Sequence, residues 1–429
     1  MSTFFAVCIA GLLPIVSAMG QALPPSANAA SVAATAINSV GIDLLHQTAR
    51  TDKNSLLSPY SIETALAMTY AGADGATHDE MARVLHLQPD AMQVANNFAA
   101  LQHLLDEVVQ RSVQAADARK QYGVTNDAIT LDVANRLFGQ EGYDFRAAFL
   151  ETVKTKYNAP FEPLNFRTNA AGATKTIDDW VAQQTHQRII GLVPPGALDA
   201  LTRLVLVNAL YFKAPWAEPF SVSATKHLPF TSGSRREDVP MMSIQKSFGY
   251  AKESGATIVS LPYSGGELQF LIILPDDTNG LAKTEAALTA DQLARWANLP
   301  PRPVKLTLPR FKIEPPTLPL GEALQMMGMT NAFDVPRGSA NFDLMAPRRP
   351  NDYLYISRVF HKTFISVDEK GTEAAAATAV AMATRSAMMK PVPPVEVNVD
   401  HPFIFAIQHR ASGACLFLGH DVNPRLTYL

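Results

Sequence analysis

Hydrophobic and polar positions divide the chain into a first half of helical patterns and a second half of strand patterns. Apolar residues recur at helical spacing over residues 30–47, and Ser58 followed by Pro59 is typical of the start of a second helix. Thr77 and Glu80 have the spacing of a capping box, which predicts that a third helix begins there.

Continuous apolar runs indicate the strands. Residues 204–212 and 268–274 are too uniformly apolar for a surface helix and too short to cross a membrane, so they predict strands buried on both faces. Residues 403–407 and 414–418 flank a short turn and predict a buried hairpin. Helices crowded before strands, without strict alternation, predict an α+β fold in a single domain.

The segment 371–394 fits neither pattern. Alanine and threonine dominate its first half, which favours a helix by propensity but offers no broad apolar face for docking. With a period of two, the alternate positions from Thr372 to Met382 share one strand face and carry no charge, while Glu373, the only charge before Arg385, lies on the other face. Composition alone favours an alanine-rich surface helix or flexible loop. A mobile strand, able to enter a sheet without burying a charge, stays open as the alternative.

The first residues predict export. The chain has 429 residues, 47% of them hydrophobic, so it is large enough to form a sizeable core. Its net charge of −3 does not favour nucleic acid or a membrane as its main partner. A short apolar run followed by small residues predicts a signal peptide at 1–22, a linker at 23–29 and a folded domain at 30–429. A buried first helix is the alternative, since the run lacks a basic residue at its start. The signal predicts a secreted or extracellular protein, with the periplasm as a second compartment.

Motifs for enzymes, cofactors and metals are missing from the sequence. S-x-x-K spacing occurs at 223–226 and 243–246, but without the S-D-N or K-T-G motifs that accompany it in serine enzymes. Cys8 would leave with the signal peptide, and Cys415 lies in an apolar run typical of a core residue rather than a nucleophile. We therefore expect no catalytic activity, cofactor, metal or disulfide.

Several separate motifs resemble the serpin family, in a bacterial-type form with an inhibitory hinge. The stretch 397–407 (VNVDHPFIFAI) is similar to the family's C-terminal signature, and 367–375 (VDEKGTEAA) resembles the hinge of its reactive loop. Further matches, in the family's order, are 54–60 (NSLLSPY), 208–219 (NALYFKAPWAEP), 239–242 (VPMM), 261–263 (LPY), 308–312 (LPRFK), 418–420 (LGH) and 423–424 (NP).

The resemblance implies three β-sheets, eight or nine helices and an exposed reactive-centre loop at about 371–394, with the largest sheet able to accept one more strand. A protease that cleaves such a loop is trapped as its acyl-enzyme, because the cut loop inserts into the sheet before deacylation. The implied hinge comprises Gly371, Thr372, Glu373, Ala374, Ala375, Ala376, Ala377 and Thr378.

The resemblance also assigns residues around the opening sheet. Ser58, Ser61, Asn208 and His361 resemble the shutter, a polar cluster beneath the point of opening, and Trp216 resembles the breach tryptophan at the top of the sheet. For His361 a titrating switch and a hydrogen-bonded core histidine are both open, and the second is favoured. Residues 178–180 (DDW) and 185–188 (THQR) depart from the family pattern, the latter by lacking its usual glycine.

The family's spacing from the hinge places the scissile bond between Arg385 and Ser386. Arginine suits the acidic pocket of a trypsin-like enzyme, so the expected partner is a trypsin-like serine protease, bound covalently by a monomeric inhibitor. The stretch that follows is longer than in many serpins, which leaves Met388 and Met389 as alternative reactive sites. A serpin-fold carrier that no longer inhibits is the alternative function, and the small residue at Thr372 argues against it.

Overall fold

The computed structural model describes residues 25–123, 127–350, 352–373 and 393–425. Within these ranges no helix is both long enough and apolar enough to cross a membrane. The α-helices of the described residues are α1 (Pro25–Thr48), α2 (Pro59–Tyr70), α3 (Gly75–Val84), α4 (Ala91–Lys120), α5 (Ala147–Tyr157), α6 (Phe166–Gln184), α7 (Leu281–Ala286), α8 (Ala290–Trp296) and α9 (Gly321–Met326).

The strands follow the apolar runs of the sequence. They are β1 (Ser55–Leu57), β2 (Thr130–Gln140), β3 (Phe161–Leu164), β4 (Leu204–Pro215), β5 (Lys226–Ser232), β6 (Arg235–Glu253), β7 (Ala256–Pro262), β8 (Leu268–Pro275), β9 (Pro301–Pro309), β10 (Phe311–Ile313), β11 (Leu318–Pro319), β12 (Phe360–His361), β13 (Ile365–Val367), β14 (Gly371–Thr372), β15 (Val395–Asn398), β16 (Phe403–His409) and β17 (Cys415–Asp421). The α+β prediction is confirmed.

The strands form three sheets among the described residues. The largest has nine strands, in the order β1-β17-β16-β8-β7-β6-β9-β15 with β5 added at β6. A six-stranded sheet has the order β10-β13-β14-β4-β2-β3, and β11 pairs with β12 alone. The expected hinge begins in the six-stranded sheet, at Gly371 and Thr372. The six-stranded sheet, rather than the nine-stranded one, therefore contains the first two residues of the expected hinge.

Uniformly buried strands form the centre of the nine-stranded sheet. All residues of β8, β16 and β17 are buried, and β16 and β17 pair as the expected hairpin. Phe270 of β8 stacks on Phe405 of β16 with ring centroids 5.5 Å apart. Cys415 is completely buried, and burial raises the pKa of its thiol, so it is a core residue as predicted.

Two helix starts differ from the sequence prediction. α1 begins at Pro25, so residues 25–29, assigned to a linker, are helical; Ala27 and Ala29 favour a helix, and Pro25 is tolerated in its first turn. α3 begins at Gly75, and its cap is Asp74 rather than Thr77. Thr77 instead accepts a hydrogen bond from the backbone N–H of Asn341, 2.9 Å away, because a distant loop packs on this helix.

Glu63 is a buried acid on α2, which packs under β4. The residue has no exposed surface, and neither carboxyl oxygen has a hydrogen-bond partner among the described residues. Burial raises the pKa of this carboxyl well above its ordinary value, so the folded state keeps it protonated where an unfolded chain would release the proton. Folding stability is therefore lost as the pH rises above the ordinary pKa of glutamate.

Replacing Glu63 with methionine is expected to stabilise the protein. Removing the unpaired acid should add about 2 kcal/mol or more to the free energy of unfolding at about pH 7.5, and less at about pH 4.5, where about half of the unfolded chains also hold the proton. Urea unfolding at both pH values measures the difference. Glu151→Met, at an exposed position of α5, is the matched control and should change little. A gain independent of pH, or none, would contradict the role of the buried acid.

Candidate functional site

The first two residues of the expected hinge, Gly371 and Thr372, belong to the six-stranded sheet. After β13 the chain turns at Asp368, whose carboxylate accepts the N–H groups of Lys370 and Gly371 at 2.8 and 3.2 Å. β14 then runs antiparallel to β13 on one side and to β4 on the other, with Thr372 opposite Val367 and Ala214. The first two hinge residues thus occupy the position of an additional strand between β13 and β4.

Gly371 is required by the close approach of β4. A Cβ atom at this position would lie 2.1 Å from the carbonyl oxygen of Ala214, which is a clash with the backbone. The glycine therefore permits β14 to pair so tightly with β4. Any larger residue would force the hinge away from the sheet.

Thr372 seals the top of the core beside two aromatic residues. Its side chain is buried, and its hydroxyl shares a hydrogen bond of 2.5 Å with the hydroxyl of Tyr263. The Tyr263 ring stacks on Trp216 at 4.7 Å and 9° between planes, and the Trp216 indole donates to the carbonyl of Asp368 at 2.9 Å. Burial raises the pKa of Tyr263, so its phenol stays neutral. If Thr372 left, this buried hydroxyl would lose its partner.

The turn before the hinge is anchored by Glu369. This buried carboxylate accepts the Thr225 hydroxyl at 2.7 Å and lies 3.4 Å from the Arg310 guanidinium. Backbone N–H groups of Trp216 and Phe220 donate to the turn at 2.9 and 2.8 Å. These bonds hold the turn in place, so β14 has a fixed starting point from which the chain can extend along β4.

Below Thr372 the edge of β4 is unpaired. β4 pairs with β2 along residues 204–213, but among the described residues no strand pairs with its other edge there. Residues 353–359 and 362–364, which lie across the gap, have no regular structure. We call the gap between 204–213 and 353–364 the slot.

Three cavities follow the slot. One of about 370 Å³ lies at its lower end beside Arg203 and Tyr353. A second of about 90 Å³ is lined by residues 204–207 of β4 and by His361. The third, of about 370 Å³, lies beneath Glu373. The slot therefore has space along its length as well as a free strand edge, and could accept a further strand antiparallel to β4.

Comparison with known proteins identifies the family to which this chain belongs. A family profile described as serpin (serine protease inhibitor) matches residues 35–424. The chain belongs to the serpin family. Its family is thus one of protease inhibitors rather than of catalytic enzymes.

Individual relatives cover nearly the whole serpin. The leukocyte elastase inhibitor of Bos taurus is 38% identical over 381 residues, covering 86% of this chain and 93% of the relative. The crystal structure of uncleaved ovalbumin matches with a TM-score of 0.75 and 27% identity, over 91% of this chain and 100% of ovalbumin. Thyroxine-binding globulin in complex with thyroxine matches with a TM-score of 0.72 and 28% identity, over 92% and 99%.

Three of the residues assigned to the shutter meet around the start of α2. The backbone N–H of Ser58 donates to Nε2 of His361 at 3.0 Å, the Ser58 hydroxyl donates to the Leu416 carbonyl at 2.8 Å, and the N–H of Ser61 donates to the Ser58 hydroxyl at 3.2 Å. Burial lowers the pKa of His361 to about 3, so its Nε2 is a neutral acceptor near pH 7. These contacts favour the core-histidine interpretation. Asn208 pairs by its backbone with Asn135 of β2.

Other assigned residues lie outside the described ranges. They are the hinge residues Ala374, Ala375, Ala376, Ala377 and Thr378 and the reactive-site candidates Arg385, Ser386, Met388 and Met389. Sequence reasoning missed Tyr263 as a partner of the hinge, although its motif (LPY) was noted. It also missed the role of Arg188, the last residue of the departing segment 185–188, which forms an ion pair with Glu373.

Proposed function

We propose that this serpin is a suicide-substrate inhibitor of a serine protease. The observation that carries the proposal is the position of the hinge: Gly371 and Thr372 are paired between β13 and β4, directly above the unpaired edge of β4. A loop cut beyond the hinge can continue this strand down the slot. An inhibitor of this class needs a free strand edge that the cut loop can join, and the hinge begins a strand at that edge.

The trapping step follows from ordinary acyl-enzyme chemistry. The protease serine attacks the carbonyl carbon of Arg385, the peptide bond to Ser386 breaks, and the Ser386 amine leaves with a proton. The ester then links the protease to the end of the cut loop. Insertion along ten residues of β4 (204–213) adds ladder hydrogen bonds, at about 0.5–1.5 kcal/mol net each, and carries the protease with it.

A trypsin-like target is supported by Arg385 alone. A guanidinium pairs with an acidic specificity pocket through charge-assisted hydrogen bonds, which neither methionine nor serine can replace. The name of the bovine relative, leukocyte elastase inhibitor, refers to a different protease. Use of Met388 or Met389 as the bait would fit a pocket for uncharged side chains, so the two registers predict different targets.

Replacing Arg385 with alanine separates the two registers. Association with trypsin-like enzymes should fall about thirty-fold or more, because the acidic pocket loses its partner, while any inhibition through Met388 or Met389 should be retained. Mass spectrometry of the peptide released from the trapped complex gives the bond directly, since a cut after Arg385 liberates a fragment that starts at Ser386. Lys390→Ala is the matched control. A fragment that starts at Met389 or Lys390 would contradict the register.

A carrier function is the alternative. Thyroxine-binding globulin shares this fold and forms a complex with thyroxine, so the architecture is compatible with ligand binding. The inserted hinge with its small buried Thr372 favours inhibition instead. Mixing the protein with a panel of serine proteases and testing for complexes stable in SDS decides between the two. Absence of a complex with every protease of the panel would favour the carrier.

Export and quaternary state complete the proposal. We propose that residues 1–22 are removed as a signal peptide and that the mature protein acts outside the cell as a monomer. N-terminal sequencing of the secreted protein tests the cleavage after Ala22, and sedimentation tests the monomer.

A further inference from the structure

The third cavity of the slot is a polar cleft of about 370 Å³ beside the hinge, and we call it the hinge cleft. Its lining combines three basic side chains with two carboxylates: Arg188, Lys213, Lys312, Asp368 and Glu373, together with Tyr211, Phe364 and Ser366. The basic residues come from three elements: Arg188 follows α6, Lys213 belongs to β4 and Lys312 to β10. Three cations converging on one cleft favour a bound anion.

The cleft already holds an anion of its own chain. The carboxylate of Glu373 forms an ion pair with Arg188, and its side chain is only 10% exposed. The guanidinium of Arg188 and the ammonium of Lys312 each lie 5.3 Å from the centre of the Phe364 ring, so the aromatic ring helps to hold two of the cations. The second carboxylate, Asp368, is engaged by backbone N–H groups of its own turn.

Glu373 reaches this position at a conformational cost. Its φ of +46° lies in the left-handed region, which non-glycine residues rarely adopt. A residue in this region costs about 1–3 kcal/mol unless its surroundings hold it there. The ion pair with Arg188 and the hydrogen bond from the Glu373 N–H to the Ser366 carbonyl, at 2.7 Å, supply such restraints.

The remaining cations have partners at or beyond the edge of the cleft. Lys213 pairs with Asp127 at 3.0 Å, and Lys312 pairs with Glu314 at 3.0 Å, neither of which lines the cleft. Side chains of lysine are long and can reorient toward a ligand. A compact anion with two or more negative charges could therefore engage Arg188 and both lysines, whereas Glu373 neutralises one charge.

We propose that the hinge cleft binds a compact multivalent anion, such as a pyrophosphate or a small tricarboxylate, in competition with Glu373. Binding displaces Glu373 from Arg188 and so removes one of the contacts that hold the end of β14 in the sheet. By thermodynamic reciprocity, insertion of the hinge expels the anion. The anion would therefore shift the hinge toward its position outside the sheet.

Calorimetry with pyrophosphate, at constant ionic strength, tests the site. Glu373→Gln removes the competing carboxylate and should tighten pyrophosphate binding about tenfold or more over the parent. Adding Arg188→Gln to that variant should abolish the gain. Glu396→Gln is the matched control, because it removes the carboxylate 2.9 Å from Lys305 in an exposed pair away from the cleft.

The outcomes separate clearly. Equal affinity for the parent and Glu373→Gln, no detectable binding to either, or an equal gain in Glu396→Gln would overturn the site. A further measurement, which rests on the proposed function, is the fraction of inhibitor cleaved without trapping. Saturating pyrophosphate should raise that fraction about twofold or more in the parent and leave it unchanged in Arg188→Gln. Binding without this effect would overturn the coupling to the hinge, and failure to trap any protease would overturn the proposed function while the calorimetry still decides the site.

Discussion

Thr372→Arg is expected to convert this inhibitor into a substrate. In the folded protein Thr372 is buried between β13 and β4, and its hydroxyl is bonded to Tyr263. A guanidinium at this position would enter the core without a partner, at a cost of several kcal/mol. Insertion of the cut loop would slow, and deacylation would release active protease. The measurement is the yield of SDS-stable complex beside the yield of cleaved, untrapped inhibitor.

Two matched variants identify the cause. Thr372→Ser keeps a small side chain with a hydroxyl and should trap the protease nearly as well as the parent. Tyr263→Phe removes only the hydrogen-bond partner of Thr372, so it should lower the stability of the inserted hinge by about 1 kcal/mol and reduce trapping only slightly. Full trapping by Thr372→Arg would show that hinge insertion is not the mechanism. Cleavage at a changed bond would instead indicate that the substitution altered recognition by the protease.

Cleavage within the reactive loop is expected to raise the thermal unfolding midpoint by about 6–18 °C. The released strand can pair with residues 204–213 of β4 and fill the slot, which adds about 5–15 kcal/mol at the net value of a hydrogen bond per residue. A metalloprotease suits the experiment, because it forms no acyl-enzyme and is not trapped. Melting curves before and after cleavage measure the change.

Cleavage of the reactive loop of the Thr372→Arg variant by the same metalloprotease provides the control. Its cut loop should insert poorly, so its midpoint should rise much less than that of the cleaved parent. An unchanged midpoint in the cleaved parent would mean that the uncut chain is not metastable, and would favour the carrier function.

Local patterns in the sequence predicted most of the secondary structure. The apolar runs at 204–212 and 268–274 lie in β4 and β8, and the C-terminal hairpin pairs as β16 and β17. The cap at Ser58 is also confirmed, since its side chain accepts the N–H of Ser61. These features depend on neighbours a few residues away, so the sequence contains the information directly.

Local rules failed where a distant segment supplied the partner. Thr77 and Glu80 have the spacing of a capping box, yet Thr77 accepts the N–H of Asn341, and Glu80 accepts the N–H groups of Thr330 and Asn331. Both side chains accept hydrogen bonds from backbone N–H groups about 250 residues further along the chain. The spacing was compatible with a cap, but tertiary packing determined the bonds.

The sequence by itself determined the family, the α+β class and a hinge segment whose alternate positions can be buried without a charge. Only the tertiary structure decided which sheet contains the start of the hinge and which edge of β4 is unpaired. It also decided that Thr372 contacts Tyr263 and that Glu373 contacts Arg188. These pairs are 109 and 185 residues apart in the chain. Side-chain alternation is a local property of the backbone, whereas a free strand edge and a converging set of charges depend on how remote segments pack, which no local pattern records.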